Sequence, residues 1–128
     1  MTTPTLAASR GKTIGLWVLR LLLAALFLFA GLMKLSGQDM MVQEFNVIGW
    51  GQWLRYFTGI LELVGAIALL IPSVSAFGAL ILLAVDVGAF FAQLLILHQD
   101  VIHTIVIGLL LGGLVYLQRQ QILARLKR

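Results

Sequence analysis

The stretch Ile14-Gly-Leu-Trp17-Val-Leu-Arg20-Leu-Leu-Leu-Ala24-Ala-Leu-Phe27-Leu-Phe-Ala-Gly31-Leu-Met-Lys34-Leu35 is interrupted by charge only at Arg20 and Lys34. As a helix rising about 1.5 Å per residue, it is long enough to cross a hydrocarbon core of about 30 Å. Three further apolar runs follow, from about Trp53 to Ile71, Val74 to Leu97 and Val101 to Leu117. The last is the shortest and should stand nearly upright or draw on its flanks.

Bulk composition agrees with a chain solvated by lipid. Hydrophobic residues make up 61% and charged residues 11%, against about 25% charged in a typical soluble domain. A soluble chain of 128 residues has too little core to hide that much apolar surface. The sequence therefore predicts an all-α, polytopic membrane protein with four transmembrane helices in an antiparallel four-helix bundle. It reads as a single membrane domain over 1–128, with spans at about 14–36, 53–71, 74–97 and 101–117.

The first run reads as a retained span. It is longer than the apolar core of a signal peptide, and no small-residue cleavage pattern follows it. Between spans one and two, the loop 37–52 mixes Asp39 and Glu44 with Met40, Met41, Val42, Phe45, Val47 and Ile48. That pattern predicts a short amphipathic segment at the membrane interface. Trp50, Trp53 and Tyr56 fit an aromatic belt on that side, and Trp17 and Tyr116 fit one on the other.

Basic residues cluster at the chain ends: Arg10 and Lys12 before the first span, and Arg119, Arg125, Lys127 and Arg128 in the tail 118–128. Basic flanks stay cytoplasmic. Both termini are therefore expected inside a cell inner (plasma) membrane, with the tail held on anionic lipid. This is also the membrane explanation of the net charge of +4, and nucleic acid is not expected as a partner. Cysteine is absent, which excludes disulfides, thiolate nucleophiles and cysteine metal sites. No phosphate-binding loop and no serine–histidine–acid constellation occurs, so no catalytic residue and no metal ligand is assigned.

Small residues recur at helical spacing: Gly108 and Gly112 in the fourth run, Ala84, Gly88 and Ala92 in the third, and Ala24, Gly31, Gly65 and Ala66 earlier. Such faces allow close backbone approach in lipid. Packing within one bundle is the favoured reading; homodimerisation through Gly108 and Gly112 is the alternative.

Glu62 and Asp86 fall near the middle of their spans, where a charge costs about 2.5–3.5 kcal/mol on insertion scales. Residues seven apart lie only about 20° apart around a helix. Arg55, Thr58 and Glu62 therefore share one stripe, Asp86 and Gln93 another, and Arg20, Phe27 and Lys34 a third. The economical expectation is that all three stripes face a common interior, with Arg20 paired to Glu62 or Asp86 and with Lys34 and Arg55 snorkelling outward. Arg20, Lys34, Glu62, Asp86 and Gln93 are the binding or proton-carrying candidates; a pair that merely locks helix register is the bland reading. His98 and His103 read as interfacial residues of the turn between spans three and four.

The ordered motifs resemble one family. Arg20 through Gly31 and Lys34, then Gly59-Ile-Leu-Glu62-Leu-Val-Gly65 with Leu69-Leu-Ile-Pro72, then Gly88-Ala-Phe-Phe-Ala-Gln93-Leu94 follow the layout of DoxX-like membrane proteins. The resemblance runs from Arg20 to Tyr116. Two positions depart from that pattern: Gln93 stands where a histidine is common, and Asp86 where an apolar residue is expected. The resemblance implies a four-helix membrane fold and, in some members, a subunit of a quinone-reducing system. Three functions follow: an accessory or anchor subunit of a quinone-linked redox complex, with redox partner subunits and quinone as the cofactor to test; a membrane chaperone or scaffold; or a small proton-linked carrier. The first is the expectation taken forward, with no catalytic activity assigned to the chain alone.

Overall fold

The computed structural model describes residues 2–98 and 100–126, with side chains described for 11–98 and 100–124. Regular structure among the described residues is entirely helical. Helix α1 runs Thr2–Leu35, α2 Asp39–Ile48, α3 Trp53–Leu70, α4 Ser75–Phe91, α5 Ile102–Leu117 and α6 Arg119–Leu126. A 3-10 turn, Pro72–Val74, precedes α4, and a π-helical segment, Ala92–Leu97, extends it. Among the described residues, three stretches are long and apolar enough to cross a membrane: Gly11–Leu35, Trp53–Leu70 and Pro72–Leu97. Ile102–Leu117 is a fourth, shorter apolar helix.

The breaks have local causes. Ile71 precedes proline and turns extended, at φ −103° and ψ 110°, because the proline ring disfavours the helical region for the residue before it. Gly49 ends α2 in the left-handed region, at φ 83°, with its N–H donating to Phe45 O. His98 takes the same left-handed conformation after the π segment, and the Asp100 carboxylate then accepts from the Ile102 N–H at 2.8 Å. The amphipathic segment expected in the loop is the helix α2, with Phe45 buried and Met40 and Val47 exposed.

Helix α1 packs on α3, α3 on α4, and α4 on α5. Their shared core holds Leu23, Ala24 and Phe27 of α1, Ala66 and Leu69 of α3, Ala79 and Leu82 of α4, and Leu111 and Leu114 of α5. Glycine sets the closest crossings. A Cβ on Gly31 would lie 2.9 Å from Gly59 O, and one on Gly78 would lie 2.7 Å from Gly65 O. Helix α6 turns back onto the start of α4. Gln121 donates to Pro72 O at 2.6 Å and accepts from the Ala76 N–H at 2.7 Å, while Ser75 Oγ donates to Gln118 Oε1 at 3.1 Å.

The tail is a helix, but it does not simply continue α5: a break at Gln118 separates the two. The side chains of Arg10 and Arg125, together with Lys127 and Arg128, lie outside the described residues. The outward-lying helical surfaces carry Leu22, Phe29, Leu95, Ile102 and Leu109, all more than half exposed, as lipid contact requires.

Candidate ligand site between α2, α3 and α4

A cavity of about 410 Å³ lies beneath α2, against α3, α4 and the π segment. Phe45 and Ile48 form its lid side, Phe57 and Leu61 one wall, and Val85 and Ala89 the other. Its polar features are Lys34, Glu62, Thr58, Glu44 and Gln93. Lys34 Nζ stands 2.8 Å from Glu62 Oε1, the two side chains being 15% and 5% exposed. At this distance the ammonium donates to the carboxylate, and because an ammonium has three N–H donors, Lys34 keeps donors for a third group. Gln93 Oε1 is buried with no hydrogen-bond partner among the described residues. Buried polar atoms are normally satisfied, and one left open beside a cavity is a place for a ligand donor.

Lys34 departs from the sequence expectation. It does not snorkel but turns inward from the end of α1 to meet Glu62. Arg55 also stays inside, 4% exposed. Its guanidinium donates to Lys34 O and, at 2.7 Å, to Gln52 Oε1, and it stacks 4.3 Å from the Tyr56 ring centre. Gln52 Nε2 in turn donates to Val42 O at 3.0 Å and Asn46 Oδ1 at 2.8 Å. This chain of contacts ties the lid helix to α3 and to the end of α1. Gln52 carried no sequence signal beyond its place one turn before Arg55. Lys34 O lies in the last turn of α1, where carbonyls lack a full helical donor; it takes the Gly37 N–H at 3.4 Å and draws Arg55 inward as a second donor.

Arg20 pairs with neither Glu62 nor Asp86. Its Nε donates to Leu69 O at 2.7 Å, and its guanidinium lies 4.0 Å from the Trp17 ring centre. Leu69 sits at the C-terminal end of α3, where carbonyls lack helical donors and the helix dipole is negative. A cation at that depth is held by backbone, and Trp17 serves as its platform.

The stripe expected to join Asp86 and Gln93 divides. Gln93 faces the cavity with Val85 and Ala89, while Asp86 faces α5 in a separate cleft. Two features account for this. Asp86 lies one residue, about 100°, around from Val85. The π segment also advances less per residue than an α-helix, which turns Gln93 back toward the Val85 face. Of the five candidates, the structure brings Lys34, Glu62 and Gln93 together and places Arg20 and Asp86 elsewhere. His98 and His103 are exposed at the turn.

The geometry defines a class, an all-helical membrane protein with a ligand-sized cavity between its apolar helices. The model of the DoxX-like family matches residues 18–124, and the chain belongs to that family. No curated protein and no solved structure matches it.

The residues around the cavity fit a quinone. The Lys34 ammonium can donate to a ring carbonyl, Glu62 and Gln93 Oε1 can accept from a ring hydroxyl of the reduced form, and the apolar walls suit an isoprenoid chain. The volume lies within the range of small-molecule sites, about 300–1,000 Å³.

Proposed function

We propose that this DoxX-like membrane protein binds a quinone-type ring in the cavity beneath α2 and acts as an accessory or anchor subunit of a quinone-linked membrane redox complex. The observation that carries this reading is the Lys34–Glu62 ion pair facing an apolar cavity, with Gln93 Oε1 unsatisfied beside it. When bound, the quinone supplies the electron-accepting chemistry. The chain would orient the ring through Lys34, the Lys34–Glu62 pair would supply a proton to a ring oxygen as the ring takes up electrons, Gln93 Oε1 would accept from the hydroxyl so formed, and α2 would keep bulk water away. Electrons come from partner subunits, since no other redox group is assigned to this chain.

In this proposal α5 is a fourth span. The apolar helices form an antiparallel bundle in a single domain over 1–128, with both termini on the cytoplasmic side of the inner membrane, as the basic ends favour. Homodimerisation through Gly108 and Gly112 is not carried forward: the face of Gly108 is taken up by Asp86 of the same chain.

The test is a titration of the purified protein in nanodiscs with a short-chain quinone, read by tryptophan fluorescence and by quinone recovered in solvent extracts. Parent protein should bind saturably. Lys34→Met and Ala89→Phe should each weaken binding about tenfold or more, a difference of about 1.4 kcal/mol. Equal affinity in parent and both variants, or extracts holding phospholipid alone, would overturn the reading.

A further inference from the structure

A second cleft, of about 350 Å³, lies between α4 and α5 and shares no lining residue with the first. Its polar centre is Asp86, 6% exposed. Among the described residues Asp86 forms neither a hydrogen bond nor an ion pair. Its position is built into α5. Asp86 Oδ2 lies 2.7 Å from where a Cβ on Gly108 would stand, so the missing side chain is what admits the carboxyl group.

The neighbours offer it no donor. Thr104 lines the same cleft, but its hydroxyl donates to Val101 O at 2.6 Å, and a hydroxyl has one hydrogen to give. His103, exposed beside Thr104, forms no ion pair with Asp86. The remaining walls are apolar. Phe90 and Phe91 meet edge to face at 5.3 Å. Val87, Phe91 and Leu109 are 47%, 52% and 73% exposed, so the cleft opens sideways toward lipid.

A carboxyl group buried without a partner costs about 1–3 kcal/mol or more, and at mid-membrane depth the cost is higher. A ligand that brings the missing donor would offset it. A water molecule needs only about 30 Å³ and two or more polar partners, so this large, apolar cleft suits a molecule with an apolar body. A carboxylate in a cleft lined by two phenylalanines favours a cation as the head group.

We propose that the cleft between α4 and α5 binds a protonated lipophilic amine. An N–H-bearing ammonium sits on Asp86, and the apolar body lies between Phe91 and Leu109. This site is independent of the cavity beneath α2 and does not rest on the quinone reading.

The test uses the whole protein in nanodiscs and a photoreactive long-chain primary amine, with cross-linked residues mapped by mass spectrometry. Dodecylamine, dodecanol and dodecyltrimethylammonium serve as competitors. Cross-links should fall on α4 and α5 around Asp86. Dodecylamine should compete best, because the alcohol lacks the charge and the quaternary ion lacks the N–H. Asp86→Asn should weaken amine binding about tenfold or more while leaving thermal stability equal to or above that of the parent. A residue held only for packing would not show that split. Ile105→Trp, which fills the cleft without touching the charge, should also abolish labelling, whereas Gly112→Ala, on the same helix in open space, should not. Equal competition by amine and alcohol, or undiminished labelling in Ile105→Trp, would overturn the proposal even if Asp86→Asn failed to fold.

Discussion

Lys34 and Glu62 meet at 2.8 Å across the contact between α1 and α3, each largely withdrawn from the surroundings. Two charges taken out of water cost several kcal/mol each, and their attraction offsets this only while both are present. Lys34→Met strands the glutamate and is expected to cost about 3–5 kcal/mol. The double variant Lys34→Met/Glu62→Leu removes both charges and should recover most of that loss. Reversible unfolding of single and double variants in bicelles tests this; a double variant no more stable than the lysine single contradicts it.

Arg20 tests a different kind of contact. Its Nε bond to Leu69 O is a charge-assisted hydrogen bond, the class worth about 1.5–3 kcal/mol. Its stack on Trp17 adds about 0.5–2 kcal/mol. Lysine keeps the charge but has neither the planar fork nor the stacking face. Arg20→Lys should therefore lose about 2 kcal/mol, and Trp17→Leu about 1 kcal/mol. Unfolding midpoints of the two variants decide it: an Arg20→Lys protein as stable as the parent would mean that charge alone matters at this position.

The contrast between Arg20 and Lys34 marks how far the sequence can be read. Hydropathy located the apolar helices within a few residues, because lipid demands long apolar runs whatever their partners. Glu62 and Gln93 were legible as interior polar residues for the same reason. The partner of Glu62 was not. Sign alone allows either base to pair with either acid. The choice depends on depth and on which backbone ends lie nearby, so the carbonyl at the end of α3 takes Arg20 and leaves Glu62 to Lys34. The separation of Asp86 from Gln93 was equally hidden, since a π segment has no clear sequence signature and a uniform 3.6-residue period cannot anticipate it. Helix α2 was foreseen as amphipathic, but its tether through Gln52 and Arg55 exists only once the chain has folded.

Gln121 clasps the turn between α3 and α4 with both ends of its amide, giving to Pro72 O and receiving from Ala76 N–H. That N–H belongs to the first turn of α4, which has no intrahelical acceptor. Gln121→Ala should release α6 from the turn and lower stability by about 1–2 kcal/mol, near the value of a lost helix cap. Hydrogen exchange gives the local signature: the Ala76 amide should exchange faster in the variant while amides in the middle of α3 keep their rates. Unchanged exchange at Ala76 would show that the clasp does not hold in solution.

The glycines make a sharper distinction than their spacing suggests. Gly108 and Gly112 form the most visible small-residue pair, yet a Cβ on Gly112 would meet nothing within 4 Å, and one on Gly88 would also enter open space. A Cβ on Gly78, by contrast, would press on backbone, 2.7 Å from Gly65 O and 2.9 Å from Leu69 N. Backbone cannot swing aside as a side chain can, so α3 and α4 would have to separate. Gly78→Ala is therefore expected to cost about 1–3 kcal/mol, as overpacking does. Gly112→Ala and Gly88→Ala should hold or slightly raise stability, because alanine is the better helix former by about 1 kcal/mol. Unfolding curves for the three variants under one condition test the ordering. If Gly112→Ala proved the most damaging, the face around Gly112 would have to be covered by something other than lipid, and cross-linking between copies of the chain would then become the next measurement.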